Sequence, residues 1–275
     1  MRARALLSCG AALATAVLAL PVHAAQAATS TTTVLHVGVS RAAITGIPQR
    51  MPAGQYTFRA EQAAGAELQL ARLRDGYTPT EFAHDHDSGN DARLDAQAVF
   101  EGGTTSGPRA QLTAFLAPGT YVYADLGPDP LGQVQTVVVT EAGRTAPDPP
   151  RVDATVVAYE DPARPHHYGW DVKGAVARAG SMRFKAAGTD QPQTLSVFTL
   201  DGSTSPELCL DFDGPPWQAP CSELFTTGQL SPGQAMVLPY ALPRAGRYFL
   251  ASSTYDDSTG TQVARLGAVR VFTVR

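Results

Sequence analysis

Two stretches of this chain repeat at a separation of 126 residues, and that repetition limits what the chain can fold into. AGQYTF (53–58) matches AGSMRF (179–184). In the same register Arg59-Ala60 matches Lys185-Ala186, and Asp75-Gly76-x-Thr78 matches Asp201-Gly202-x-Thr204. Further on, PGTYVYA (118–124) matches AGRYFLA (245–251) at an offset of 127. Three matches in order and in nearly constant register point to a tandem duplication, so each half is expected to form a complete unit with its own core. The paired glycines, Gly119 and Gly246, are expected at turns leading into a central strand whose tyrosine packs inside or at the rim.

The units are expected to be all-β. Helical periodicity is scarce, and short β-rich runs dominate: TVLHVGV (33–39), QYTFRA (55–60), ELQLARL (67–73), TYVYADL (120–126) and VQTVVVT (134–140). The second half continues with ATVVAYE (154–160), SMRFKA (181–186), TLSVFTL (194–200), AMVLPYAL (235–242), RYFLASS (247–253) and AVRVFTV (268–274). Gly and Pro clusters separate these runs at short intervals, which favours a sandwich or barrel. In ELQLARL the alternation sends Leu68, Leu70 and the stem of Arg72 to the core, with Glu67, Gln69 and Ala71 outward.

The ends and the seam divide the chain. Arg2 and Arg4, the apolar run 5–20, Pro21 and small-x-small sites ending at Ala24 and Ala27 form the pattern of a secretory signal peptide over 1–27. Cys9 sits too early in the apolar run for lipid attachment, and the small-residue sites argue against an uncleaved anchor. EAGRTAPDPPR (141–151) has three prolines, charges and no apolar run, which suits an extended linker. The expected organisation is a first sandwich over 30–142, a linker over 143–151 and a second sandwich over 152–275. No later apolar run approaches membrane-spanning length. Loss of Arg2 and Arg4 takes the formal charge from −4 to −6, without a basic cluster to suit nucleic acid or anionic lipid.

Cys209 and Cys221 are the two cysteines beyond the leader. In an exported chain they are expected to form one structural disulfide around LDFDGPPWQAP, since a redox pair would more typically be C-x-x-C at a helix start.

Several stretches resemble the cupredoxin-like (plastocyanin-like) domains of exported bacterial proteins. The residues that carry the resemblance are MPAGQYTFRAE (51–61), AELQLARLRDGYTPTEF (66–82), LAPGTYVYADL (116–126) and the closing segment 230–274. The resemblance implies two tandem Greek-key sandwiches. In copper-binding members of the family, a histidine near the start of the ELQLARL strand, a cysteine after the G-x-Y strand, and a histidine and methionine in the closing loop hold the metal. Those positions fall here near Ala66 and Pro192, near Ala124 and Ala251-Ser252, and on Gln262 and Leu266, while GPDPLGQ (127–133) supplies no ligand. Thiolate and imidazole are what copper needs, so the electron-transfer function is not expected to accompany the fold.

The remaining candidates are few. In FAHDHDSGND (82–91), His84 and His86 would present two imidazoles on one side of an extended segment, with Asp85 or Asp87 and a partner such as His166 or His167 completing a Zn or Cu(II) site. The competing reading is a solvated loop rich in turn residues. Asp211, Asp213, Asp256 and Asp257 suit turns better than a calcium loop, since D-x-D-x-D-G with a later Glu is absent. Trp170 and Trp217 are half-buried core or rim aromatics, or platforms for glycan or peptide. No nucleophile elbow, H-E-x-x-H or phosphate loop is present.

The sequence therefore predicts an extracytoplasmic, non-catalytic binding or structural protein with no cofactor and an envelope or extracellular ligand. The alternatives are a Cu/Zn-binding protein using His84 and His86, and an enzyme whose site lies between the halves. The last requires a deep pocket there with convergent polar groups.

Overall fold

A computed structural model describes residues 32–40, 42–63, 66–104, 110–125, 133–141, 150–202, 204–212 and 219–275. The leader, most of the expected linker and of the first half's closing loop, Asp213 and Trp217 lie outside these residues. Among the described residues no helix is long and apolar enough to cross a membrane.

The first half contributes β1 (Thr33–Val39), β2 (Ile44–Thr45), β3 (Arg50–Pro52), β4 (Gly54–Gln62) and β5 (Leu68–Leu73). Helices α1 (Pro79–Asp87) and α2 (Asp91–Gln97) follow, then β6 (Ala98–Thr104), β7 (Ala110–Leu116), β8 (Gly119–Asp125) and β9 (Val134–Thr140). The second half runs β10 (Ala154–Glu160), β11 (Tyr168–Gly174), β12 (Ala179–Ala186), β13 (Ser196–Leu200), α3 (Pro206–Leu210) and β14 (Glu223–Thr226). It closes with β15 (Ala235–Ala241), β16 (Gly246–Ala251) and β17 (Val269–Val274). The described residues are mainly β, in mixed and antiparallel sheets, which is the all-β class expected.

The same pairings occur in both halves. β1 lies parallel to β4 and β10 parallel to β12; β4 is antiparallel to β7 and β12 to β15. The second sheets run β3-β9-β8-β5-β6 and β14-β13-β16-β17. The matched glycines adopt matched backbones, with φ of 153° at Gly119 and 154° at Gly246, and positive φ also at Gly76 and Gly202. These values lie where L side chains are disfavoured, which explains why glycine stands at both copies. Tyr121 and Tyr248 are both buried, and each hydroxyl donates to the carbonyl four residues back, Ala117 O at 2.9 Å and Arg244 O at 2.5 Å.

The halves do not keep wholly separate cores. β7 and β15 pair antiparallel at Thr113 and Val237, joining four strands from each half into one eight-stranded sheet, β11-β10-β12-β15-β7-β4-β1-β2. One apolar cluster runs from Phe58 and Tyr123 through Phe184 and Tyr248, and residues 31–275 form a single compact unit. A second seam links β6 to the segment 227–231. Glu101 and Thr104 bridge Leu230 and Thr227, and Phe100 exchanges hydrogen bonds with Ser231 through its N–H and C=O, both at 2.8 Å. Gly103 and Gly228 let these backbones close, since a Cβ on Gly228 would lie 2.6 Å from the Gly103 Cα.

The expected faces of β5 are corrected here. Leu68 and Leu70 enter the main core as expected, but Ala71 and Leu73 are buried too, in a satellite core with Tyr77, Phe82, Leu94 and Phe100 beneath α1 and α2. Gln69 is 1% exposed because the 227–231 segment covers it.

Candidate functional site

The segment 82–91 is mainly helical, which corrects the extended loop read from its turn residues. Thr78 caps α1: its Oγ1 accepts the Glu81 N–H at 3.2 Å, and the Glu81 carboxylate accepts the Thr78 N–H at 3.0 Å. Pro79 sits at the first helical position. This Thr-x-x-Glu box is the signal in the sequence that could have identified the helix. At about 100° per residue, His84 and His86 project roughly 200° apart and do not share a face. His84 is exposed; His86 is half-buried, with Nδ1 3.4 Å from the Asp87 carboxylate.

The committed residue of this segment is Asp85, 1% exposed. It accepts the Tyr77 hydroxyl at 2.8 Å, the Asn90 side chain at 3.3 Å and the Arg93 guanidinium at 3.3 Å, so it pins α1 to α2. Arg93 also pairs with Glu81 at 2.8 Å and lies over the Tyr77 ring.

His166 and His167 do not join the α1 pair. His166, the one non-glycine with positive φ among the described residues, places Nδ1 3.0 Å from Asp256. His167 packs against Gly267. Among the described residues no group of three or more His, Cys, Asp or Glu side chains is arranged to hold a metal. The positions named for a copper site do not fit one. Ala66, Ala124 and Ala251 are buried methyl groups, Pro192 has no donor, and Ser252 is tied to Thr194 and Thr254. Cys209 and Cys221 stand at disulfide distance, with Cα atoms 5.8 Å apart, beside the main body of the second half. Trp170 is a core residue, 4% exposed and 5.8 Å from the Phe184 ring.

The site that sequence reasoning missed is a cleft of about 490 Å³ between the halves. The first half supplies Glu67, His86, Asp91 and Asp95; the second supplies Glu223 and Asp257. Tyr255, 64% exposed, adds aromatic surface, while Phe82 and Phe100 are buried behind the lining. No lysine or arginine is among the described lining residues. Burial, with the charges of Asp257 and Asp91 added, pushes Asp95 up to about 7. Burial also raises Glu67, helped by Asp125 and Glu223, and raises Asp257, helped by Asp91, Asp256 and Asp190. No motif in the sequence marks this cleft, because its carboxylates come from segments more than a hundred residues apart.

Asp256 fixes the loop that carries Asp257. Its carboxylate accepts the Tyr168 hydroxyl at 2.6 Å, the Ser258 hydroxyl at 2.6 Å and the Thr259 N–H at 2.7 Å, besides pairing with His166. Burial opposes its ionisation, but bonds from Ser258, Tyr168, Thr259 and His166 outweigh that and hold the carboxyl far below the usual range.

No family model matches the chain, and no curated protein matches it. Solved structures similar in outline include a multicopper oxidase at 13% identity, covering 88% of each chain, with a TM-score of 0.24. The copper nitrite reductase from Nitrosomonas europaea aligns at 12% identity over 89% of this chain and 94% of its own, TM-score 0.26. A multi-copper oxidase from Pediococcus acidilactici aligns at 8% identity over 89% and 59%, TM-score 0.27. At such scores the likeness carries no argument about activity or metal.

Proposed function

We propose that this chain is an extracytoplasmic, non-catalytic binding protein of two duplicated cupredoxin-like sandwiches without copper, holding a small organic cation in the cleft between them. The observation that carries the reading is the lining. Five carboxylates line one cleft beside the exposed ring of Tyr255, with no described lysine or arginine to neutralise them. Carboxylates attract an ammonium group, and an exposed aromatic ring such as Tyr255 can add cation–π attraction. Duplication is supported by the repeated pairings and the paired glycine backbones. Export is supported by the leader pattern in the sequence and by the cysteine pair.

The test is calorimetric titration of the purified chain with benzylamine, putrescine and spermidine, against acetate and glucose as anionic and neutral controls. Saturable binding of an amine, weakened at least tenfold in Asp95→Asn and Asp257→Asn, supports the reading. Equal responses to the controls, or no response to any amine, sink it.

A second reading rests on Asp95. A carboxyl raised to about 7 in a cleft lined from both halves is suited to general acid–base work. Against it, none of the cleft carboxylates is hydrogen-bonded to a nucleophilic hydroxyl or an imidazole among the described residues.

A further inference from the structure

The duplication supplies an internal comparison at one corner of each half, where the strand before the Asp-Gly turn meets the start of the Gly-x-Tyr strand. Between β5 and β8 the corner pair is Leu73 opposite Thr120; between β13 and β16 it is Leu200 opposite Arg247. The second half closes its corner from within. Arg244 pairs with Asp201, and the Arg247 guanidinium donates to the Gly202 carbonyl at 2.8 Å. The first half carries Ala117 and Thr120 at those two positions, so neither bond can form there.

In their place lies a cavity of about 510 Å³, which shares none of its described lining residues with the cleft. Arg72 and Arg74 line it from β5 and the residue that follows, Thr120 lines it from β8, and Asp75 and Gly76 from the turn. The Arg72 stem lies against Gly119, where a Cβ would come within 3.1 Å of the Arg72 Cδ. A third of the Arg72 side chain is exposed, yet its Nε is buried without a hydrogen bond. The Glu101 carboxylate stays 3.6 Å from that nitrogen, beyond hydrogen-bond range. Buried donors left unmet in this way are rare. Arg74 is exposed, and neither its guanidinium nor the Thr120 hydroxyl has a hydrogen-bond or ion-pair partner among the described residues.

Charge decides the class of ligand. Two guanidiniums line the cavity against one carboxylate among the described lining residues, the exposed Asp75. Burial raises Glu101 to about 7, so near neutrality it compensates Arg72 only in part. We propose that this corner binds a small oxyanion, a carboxylate or a phosphate group, through Arg72 and Arg74, with the Thr120 hydroxyl as a further donor. Guanidiniums suit such groups because their parallel N–H donors match two oxygens at once. The equivalent corner of the second half, whose arginines bond to its own turn, binds none.

The experiment is NMR titration of the purified chain at pH 7 with inorganic phosphate and with succinate, read at the backbone amides of Gly76, Gly119 and Thr120. Saturable shifts at these amides are expected. A response to phosphate alone assigns a phosphoryl ligand, and a response to succinate alone assigns a carboxylate one. Arg74→Gln should weaken binding about tenfold, through loss of one charged donor. Thr120→Arg, which installs the residue that the second half carries, should abolish binding by closing the corner. Arg74 is exposed, so its replacement keeps the test available if Thr120→Arg folds poorly. Asp75→Asn should strengthen binding by removing the one lining carboxylate, and Arg244→Ala, at the other corner, should leave it unchanged. The proposal is overturned by the absence of saturable shifts with either anion, by affinities unmoved in both Arg74→Gln and Thr120→Arg, or by loss of binding in Asp75→Asn.

Discussion

The side-chain carbonyl of Gln69 accepts the backbone N–H of Gln229 at 2.7 Å, and its amide returns bonds to Gly102 O at 2.9 Å and Gln229 O at 3.1 Å. One buried glutamine thus acts as a three-way connector among β5, β6 and the second half.

Gln69→Leu keeps the approximate volume but strands buried backbone groups on two segments. Each such group costs about 1–3 kcal/mol. A loss of roughly 2–4 kcal/mol is expected in urea unfolding. A loss below about 0.5 kcal/mol would mean that the connector contributes nothing and that the seam is held by apolar packing alone.

Asp85 and Tyr77 form a second testable pair. In a double-mutant cycle with Asp85→Asn and Tyr77→Phe, a coupling of about 1–2 kcal/mol is expected, because the hydroxyl-to-carboxylate bond is charge-assisted and buried. Additive effects would show that α1 and α2 are held otherwise.

Acidity should strengthen the fold over part of the pH range. Burial raises Glu101 to about 7, and the Arg72 guanidinium, 3.6 Å away, offsets only part of that. An acid with a raised folded-state pKa binds its proton more tightly when folded. Its contribution to stability is full below the ordinary glutamate pKa and is lost as pH rises through about 7. Asp95 acts with the same sign. The urea midpoint should be higher at pH 5.5 than at pH 8, and Glu101→Gln should reduce the difference. A midpoint that rises toward pH 8, with the same profile in the variant, would contradict the assignment.

The cysteine pair predicts no free thiol in the denatured, unreduced chain once the leader, which carries Cys9, is removed. Reduction should lower stability by about 2–3 kcal/mol, as expected for a short closed loop. Two titratable thiols before reduction would remove the bond from the account.

The helix geometry at His84 and His86 also has a measurable outcome. Zn(II) and Cu(II) titrations should be the same for the parent chain and for the His84→Ala/His86→Ala variant, and copper loading should give no intense blue band. A stoichiometric site lost in the variant would restore a metal role for this segment.

Much of the fold was legible because its signals are local. TVLHVGV and VQTVVVT coincide with β1 and β9, and the paired Gly119 and Gly246 announced a shared backbone. β6 was not read, because AVFEGGT carries two glycines and owes its place to partners on β5 and the 227–231 segment. α1 was misread because Asp, Ser and Asn suggested turns, while Thr78 and Glu81 held the better information in their spacing. The cleft was illegible for a different reason. Asp95 and Asp257 acquire meaning only when β7 meets β15 and brings their halves together.

That meeting of β7 and β15 also sets the smallest piece of this protein that can live alone. Cut apart, each half would present an unpaired strand flank, with open N–H and C=O groups along β7 or β15, and the first half would bare β6 as well. Such flanks template pairing with any extended chain, so an isolated half would be expected to self-associate through them. Each half covers the open strand flank of the other, so the two together, rather than either alone, are expected to be the piece that resists self-association.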